Sequence, residues 1–306
     1  MESSEPKVLD PFVAAVDSIG DAWTFLITRE AFFGATRFDA FAAGLKISTS
    51  RLAERLKHLV ALGVFERSQY EISPPRYEYR FTQRGLGVYS IALAMIDWGT
   101  RWRSAETDVE LIHNNCGHTI VPKFVCRDCG DEIRADDIEW PPIVPLRQAL
   151  IDEASVRGWR KIPDVRSVAN RIDPATEVLN VAGDRWSMLI MYGAVQREFR
   201  FREAQNKLGI AHNILSSRLK ALVSAGVLER VGDSKQAPYR ASAAGRDLLN
   251  TILVTRTWAL DHLLESDLTW SKLKHRPCSS DLRVDLQCSH CLEALRPQDV
   301  KVKFKD

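Results

Sequence analysis

The chain has 306 residues, 45% of them hydrophobic, enough for two or more ordinary packed cores. A formal net charge of +2 excludes a partner held by overall charge, so any basic surface has to be local. No apolar run approaches the ~18–20 residues of a membrane helix, and MESSEPKVLD lacks the basic start and apolar stretch of a signal peptide, so a cytoplasmic protein is expected.

From the amino terminus, Phe12, Val16, Ile19, Trp23, Leu26 and Ile27 recur at helical spacing, interrupted at Gly20 and Asp21, which predicts two helices over residues 12–33. RFDAFAAGL follows as a short amphipathic helix ending near Gly44. ISTSRLAERLKHLVALG predicts the next helix, with Ser48, Thr49 or Ser50 as N-cap and Leu52, Leu56 and Leu59 facing inward. VFERSQY and RYEYRFT, on either side of SPP, read as a β-hairpin. Helix-turn-helix followed by a hairpin is a winged helix. Beyond an aromatic stretch ending DWGTRW lies HNNCGHTIVPKFVCRDCG, residues 113–130, with the pattern H-x2-C-x9-C-x2-C. Residues 140–172 begin with a proline-rich turn and predict one helix at about 145–157, in a linker.

The remainder of the chain repeats this order. IGDAW (19–23) returns as AGDRW (182–186), RFDAF (37–41) as RFREA (200–204), and RLKHLVALGVFER (55–67) as RLKALVSAGVLER (218–230), each displaced by 163 positions. After a wing segment three residues shorter the displacement is 160, carrying Gly85 to Gly245 and Trp98 to Trp258. At HRPCSSDLRVDLQCSHCL, residues 275–292, it is 162. A tandem duplication with small loop adjustments accounts for all of these.

IGDAWTFLI, RFDAF, ISTSRLAERLKHLVALGVFERS, PPRYEYRFTQRG and DWGTRW, taken in order, resemble the HxlR family of bacterial winged-helix transcription regulators, over about 95 residues in each copy. The second copy is more divergent: its wing lacks the PP-R-x-x-Y core, and AGRDLL replaces RGLGVY. The resemblance implies a domain that binds double-stranded DNA and usually dimerises through its terminal helices. Many members of the family sense oxidants through a cysteine just before a proline, where this chain has Asp10 before Pro11 and Asp173 before Pro174, so that form of thiol sensing is not expected.

Local charge agrees with DNA binding. Residues 46–58 hold four Lys or Arg against one Glu, and 207–220 hold three bases and no acid. Within such a helix Ser, Thr, His and Asn near the start can reach base edges while Arg and Lys hold phosphates. The residues expected at the DNA are Arg37, Ser48, Thr49, Ser50, Arg51, Arg55 and Arg76 in the first copy, and Arg200, His212, Asn213, Ser216 and Arg218 in the second. Arg37 and Arg200 have an alternative reading as capping or salt-bridge residues. Trp23 and Trp186, among apolar neighbours, read as core.

All six cysteines fall in the two clusters. In a reducing compartment such clusters are more often metal ligands than disulfides, and the paired H-x2-C and C-x2-C knuckles suit a closed tetrahedral Cys3His zinc site. The expected sets are His113, Cys116, Cys126 and Cys129 for one structural zinc and His275, Cys278, Cys288 and Cys291 for another. His118 competes with His113 until the duplication is considered: His113 aligns with His275, whereas His118 aligns with Ser280. His290 falls between two ligands and reads as a solvated loop residue or a rival to His275. Free thiols and reversible disulfides are the alternative.

The fold expected is mainly α with small β wings. Its units are a winged helix over 1–105, a zinc ribbon over 106–139, a linker over 140–172, a second winged helix over 173–266 and a second ribbon over 267–306. No phosphate-cradling glycine motif, H-E-x-x-H or nucleophile elbow is present, and a closed Cys3His site offers no open coordination position, so an enzyme is not expected. The copies should pair as an intramolecular pseudo-dimer on double-stranded DNA, with room for a small-molecule effector and a further homodimer. The competing reading is a zinc-dependent redox-sensing or protein-interaction module that uses the winged helices as scaffold.

Overall fold

A computed structural model describes residues 8–103, 109–141, 164–170, 172–234, 236–263 and 269–304. The predicted linker helix at 145–157 lies outside them. Strand β1 (Val8–Leu9) leads into α1 (Pro11–Ile19) and α2 (Ala22–Phe32). Asp10 caps α1 by accepting from the Phe12 and Val13 backbone N–H groups, with Pro11 at the first helical position, and Asp21 caps α2 in the same way. The Asp-Pro pair that replaces a cysteine is therefore a helix start. Then come α3 (Phe38–Gly44), α4 (Thr49–Ala61), the hairpin β2 (Phe65–Glu71) and β3 (Arg76–Phe81), α5 (Gln83–Leu86) and the long α6 (Val88–Arg103). Leu52, Leu56 and Leu59 are fully buried under α4, as their spacing predicts.

Three strands follow, β4 (Val109–His113), β5 (Thr119–Ile120) and β6 (Pro122–Cys126), and then β7 (Ile138–Glu139). The second copy repeats the series. Its helices are α7 (Pro174–Ala182), α8 (Arg185–Gln196), α9 (Phe201–Leu208) and α10 (His212–Ser224). A shorter wing, β8 (Leu228–Arg230) with β9 (Tyr239–Ala241), precedes α11 (Ala243–Asp247) and α12 (Leu249–His262). The chain ends in β10 (Thr269–Trp270), β11 (Lys274–His275), β12 (Val284–Cys288) and β13 (Val300–Phe304).

The copies pack on each other reciprocally. Helix α6 lies against α7, and α12, the counterpart of α6, lies against α1, the counterpart of α7. Trp98 Nε1 donates to the Ala244 carbonyl at 2.8 Å, and its counterpart Trp258 donates to the Arg84 carbonyl at 2.9 Å. Both pairs of positions are related by the repeat, so an approximate two-fold axis runs between the copies.

The strands obey the same axis and overturn the expectation of two self-contained ribbons. Strand β6 pairs antiparallel with its own counterpart β12, with Phe124 opposite Leu286, the equivalent residue. Strand β4 pairs with β13 so that His113 faces Val300, and β11 pairs with β7 so that His275 faces Ile138. Stretches as short as these gain more backbone pairing by exchanging strands across the axis than two-residue strands could supply alone.

Close helix contact makes Gly99 specific. A Cβ there would stand 2.0 Å from the Pro174 carbonyl oxygen. Gly99→Ala should therefore cost about 1–3 kcal/mol through overpacking at the α6–α7 contact, read as a lowered urea midpoint. Ala259, its counterpart on α12, already accommodates the methyl group and is fully buried.

Candidate nucleic-acid interface and metal centres

Helices α4 and α10 each stand second in a helix-turn-helix, and neither has a side-chain cap. Ser48 and Ala211 occupy the N-cap positions without a capping hydrogen bond. The first-turn N–H groups of both helices are thus left for an anion, and an uncapped start at the outer end suits a DNA phosphate. Ser48, Thr49, Ser50 and Arg51 are exposed around one start, and His212, Asn213 and Ser216 around the other. Arg51 lies over the edge of the Trp23 ring, 5.9 Å from its centroid, and His212 packs on Phe201 at 4.8 Å. Arg76 is exposed on the wing and paired with Glu71 at 3.1 Å, while Arg37 sits over the Tyr70 ring at 4.3 Å. Arg37 and Arg200 hold the N-cap positions of α3 and α9 without capping them. The wing tip also carries Ile72, an apolar group that is 84% exposed.

Arg55 and Arg218 do not belong to that surface as expected. Arg55 is 4% exposed and pairs with Asp21 at 3.6 Å. Arg218 donates through Nε to Asp184 at 3.0 Å. These are equivalent pairs, one in each copy. The reason is helical register: Arg55 lies between Leu52, Leu56 and Leu59, and Arg218 between Leu215, Leu219 and Leu222, so both lie on the side that faces the core. Local charge counting could not separate an inward arginine from an outward one. Lys57 and Lys220, one repeat apart and both exposed, are the basic groups of these helices that face outward beyond the first turn.

The eight predicted metal ligands all come together, but in crossed sets. His113 and Cys116 meet Cys288 and Cys291, while Cys126 and Cys129 meet His275 and Cys278. In the first set Cys116 Sγ is 3.8 Å from Cys288 Sγ, and His113 Nδ1 is 3.4 Å from Cys116 and 3.3 Å from Cys291. The second set repeats these distances, with Cys126 and Cys278 3.8 Å apart and His275 Nδ1 3.4 Å from Cys129 and 3.3 Å from Cys278. A tetrahedron of thiolates about 2.3 Å from a central ion has edges of about 3.8 Å, so the spacing fits a four-coordinate metal. The knuckles of one copy do not group with each other, because β6 runs antiparallel to β12 and delivers Cys126 to the other copy's HxxC turn.

Each set has one thiol shifted down and one shifted up: Cys278 and Cys288 are lowered, Cys129 and Cys291 raised. The Ser280 backbone amide and His275 hold the Cys278 thiol down at about 6. At Cys288 burial opposes ionisation, and the Cys291 and His290 amides more than offset it to lower the thiol. His118 stays outside both sets, stacked on His290 at 3.5 Å.

Residues 18–107 and 181–267, together more than half of the chain, match the family model for the HxlR-like helix-turn-helix. The chain belongs to this family and carries two copies of its domain. It is 38% identical over 130 residues to an HTH-type transcriptional regulator of Mycobacterium tuberculosis (strain CDC 1551 / Oshkosh), MT3179, covering 42% of this chain and 82% of that protein. With the HTH-type regulator sll1512 of Synechocystis it shares 34% identity over 98 residues, 32% of this chain and 73% of that one. Among solved structures, PA1607 aligns with a TM-score of 0.40 at 30% identity, over 43% of this chain and 94% of PA1607.

Burial separates the two arginines of α4. Arg55→Ala strands Asp21 and should cost about 3 kcal/mol of stability while leaving the salt dependence of DNA binding unchanged. Arg51→Ala should leave stability intact and reduce the log–log salt slope by about 0.9. Chemical denaturation and binding titrations at several salt concentrations distinguish them.

Proposed function

We propose that a single chain is a transcriptional regulator that spans two unlike half-sites on double-stranded DNA, with two structural zinc ions tying its halves together. The observation that carries this is the reciprocity of the two copies. A two-fold winged-helix dimer sets two recognition helices about one helical turn of DNA apart, and α4 and α10 are related by the same kind of axis within one chain. The exposed residues at their starts differ, Ser48-Thr49-Ser50-Arg51 against Ala211-His212-Asn213, so the half-sites should differ too. Arg37, Arg76, Lys57 and Lys220 are assigned to phosphate. Thr49, Asn213 and Ser216 are assigned to base edges.

Zinc is the metal that a closed Cys3His donor set with these spacings suits, and when bound it supplies cross-linking free energy that neither copy has alone. His113 and His275 bind through Nδ1, and their Nε2 atoms are buried without a hydrogen-bond partner among the described residues. The chain's own contribution is to hold an HxxC turn of one copy against a CxxC turn of the other.

Two measurements test this reading. Native mass spectrometry should find one chain on an asymmetric duplex of about 20 base pairs; two chains on a perfect palindrome would instead make the second copy a dimerisation domain. Metal content should follow the crossed sets. Cys116→Ser combined with Cys288→Ser should retain one zinc per chain, whereas Cys116→Ser combined with Cys126→Ser should lose both. The reverse pattern would restore the self-contained ribbons.

A further inference from the structure

A cavity of about 80 Å³ lies where the two copies meet, lined by residues of α1, α2 and α6 from one copy and α7, α8 and α12 from the other. It straddles the approximate two-fold axis. Its walls contain equivalent positions from both copies, among them Phe25 and Met188, Thr28 and Met191, Ile91 and Thr251, and Met95 and Thr255. In a true homodimer each pair would be identical. In this chain the members of each of these pairs differ, and every one of these pairs includes a methionine or a threonine. Of the four methionines in the sequence, all but Met1 line this cavity. Methionine fills irregular space adaptably, so the walls can remodel around an occupant.

The polar groups limit what that occupant can be. Among the described residues of the lining Asp21 is the single ionisable one, and its carboxylate is taken up by the α2 backbone, Thr24 and Arg55. Thr28 donates to the Thr24 and Phe25 carbonyls, and Thr255 donates to the Thr251 carbonyl at 2.7 Å. Thr251 differs from these: its Oγ1 is buried and has no hydrogen-bond partner among the described residues. A buried hydroxyl without a partner carries an uncompensated desolvation cost, which a ligand group could recover.

We propose that this cavity is an effector site for a small uncharged molecule, mainly hydrocarbon and about one aromatic ring in size, with a single hydroxyl that pairs with Thr251. The site is wired to the DNA-reading surface. Asp21 forms the cavity wall and holds Arg55 of α4, and the neighbouring Ser18 carbonyl is 3.0 Å from His58 Nε2 on the same helix. An occupant that presses on the Ile19–Asp21 corner therefore acts on the seat of the first recognition helix. Occupancy changes DNA affinity to the extent that the two positions of the helix differ in affinity for the occupant.

The test uses the full chain with its metal and three probes of one shape: p-cresol, p-xylene and p-toluate. Calorimetry without DNA should show one p-cresol per chain, p-xylene about tenfold weaker, and no p-toluate. Thr251→Val should bring p-cresol down to the p-xylene level. Ala15→Val with Ala182→Ile fills the cavity and enlarges each side chain as its counterpart already is, since Val178 and Ile19 occupy the equivalent positions. This double variant should keep the native circular dichroism and bind p-cresol at least tenfold more weakly. Saturating p-cresol should change the affinity of the native chain for duplex DNA at least about fivefold, and that of the filled variant not at all. No saturable binding, p-cresol affinity equal in the native chain and both variants, or an unaltered DNA affinity would overturn the proposal. If the double variant does not fold, the Thr251→Val arm decides alone. Because the ligand titrations contain no DNA, their failure is separable from failure of the proposed DNA role.

Discussion

Helices α6 and α12 each bury an indole that donates its N–H to a backbone carbonyl of the opposite copy, and each lies along the first helix of that copy. The arrangement of everything outside this contact follows from it. The two helix-turn-helix units face outward because their inner faces are spent on the axis. Strands from the segments that follow α6 and α12 in sequence exchange partners across the axis, β4 with β13, β6 with β12 and β11 with β7. Association that would cost a free monomer its translational freedom is intramolecular in this chain, so the contact does not depend on concentration.

The recognition helices are seated in the same manner twice. Asp21 and Asp184 each cap a helix and also hold an arginine nearly two turns into the second helix of the helix-turn-helix. Such a pair fixes orientation more than it adds stability, since the desolvation of both charges offsets much of their attraction. What it leaves outward is the part that has diverged. The start of α4 offers hydroxyls and an arginine, the start of α10 an imidazole and an amide, and the second wing is shorter. Under the proposed function this divergence suits an asymmetric site, which a two-fold homodimer would read only with one half mismatched.

The two Cys3His clusters, candidate metal sites, belong to the same axis. Each takes an HxxC turn from one copy and a CxxC turn from the other, so an ion bound in either cluster closes a loop through the linker and the winged helices. Closing so long a loop restrains the unfolded chain more than closing a single knuckle would. Residues that hold their thiols partly ionised, such as the Ser280 amide beside Cys278, lower the proton cost of loading the metal.

Much of this was legible in the sequence. Apolar spacing placed α1 to α4 and their copies, the SPP turn marked the first wing, and matching cysteine intervals picked out all eight clustered ligands, with His113 preferred over His118. These are local patterns, carried by residues within a turn or two of each other, and the duplication provided a second reading of each. The linker helix lies among residues the structure does not describe. Tertiary structure alone decided which knuckle meets which, because spacing within a copy is the same whether strands pair at home or across the axis. It alone showed Arg55 and Arg218 turned inward, since a charge count along a helix does not record which face meets the core. The cavity, too, was invisible in one dimension: Ile91 and Thr251 become neighbours only when two distant helices are brought together by packing.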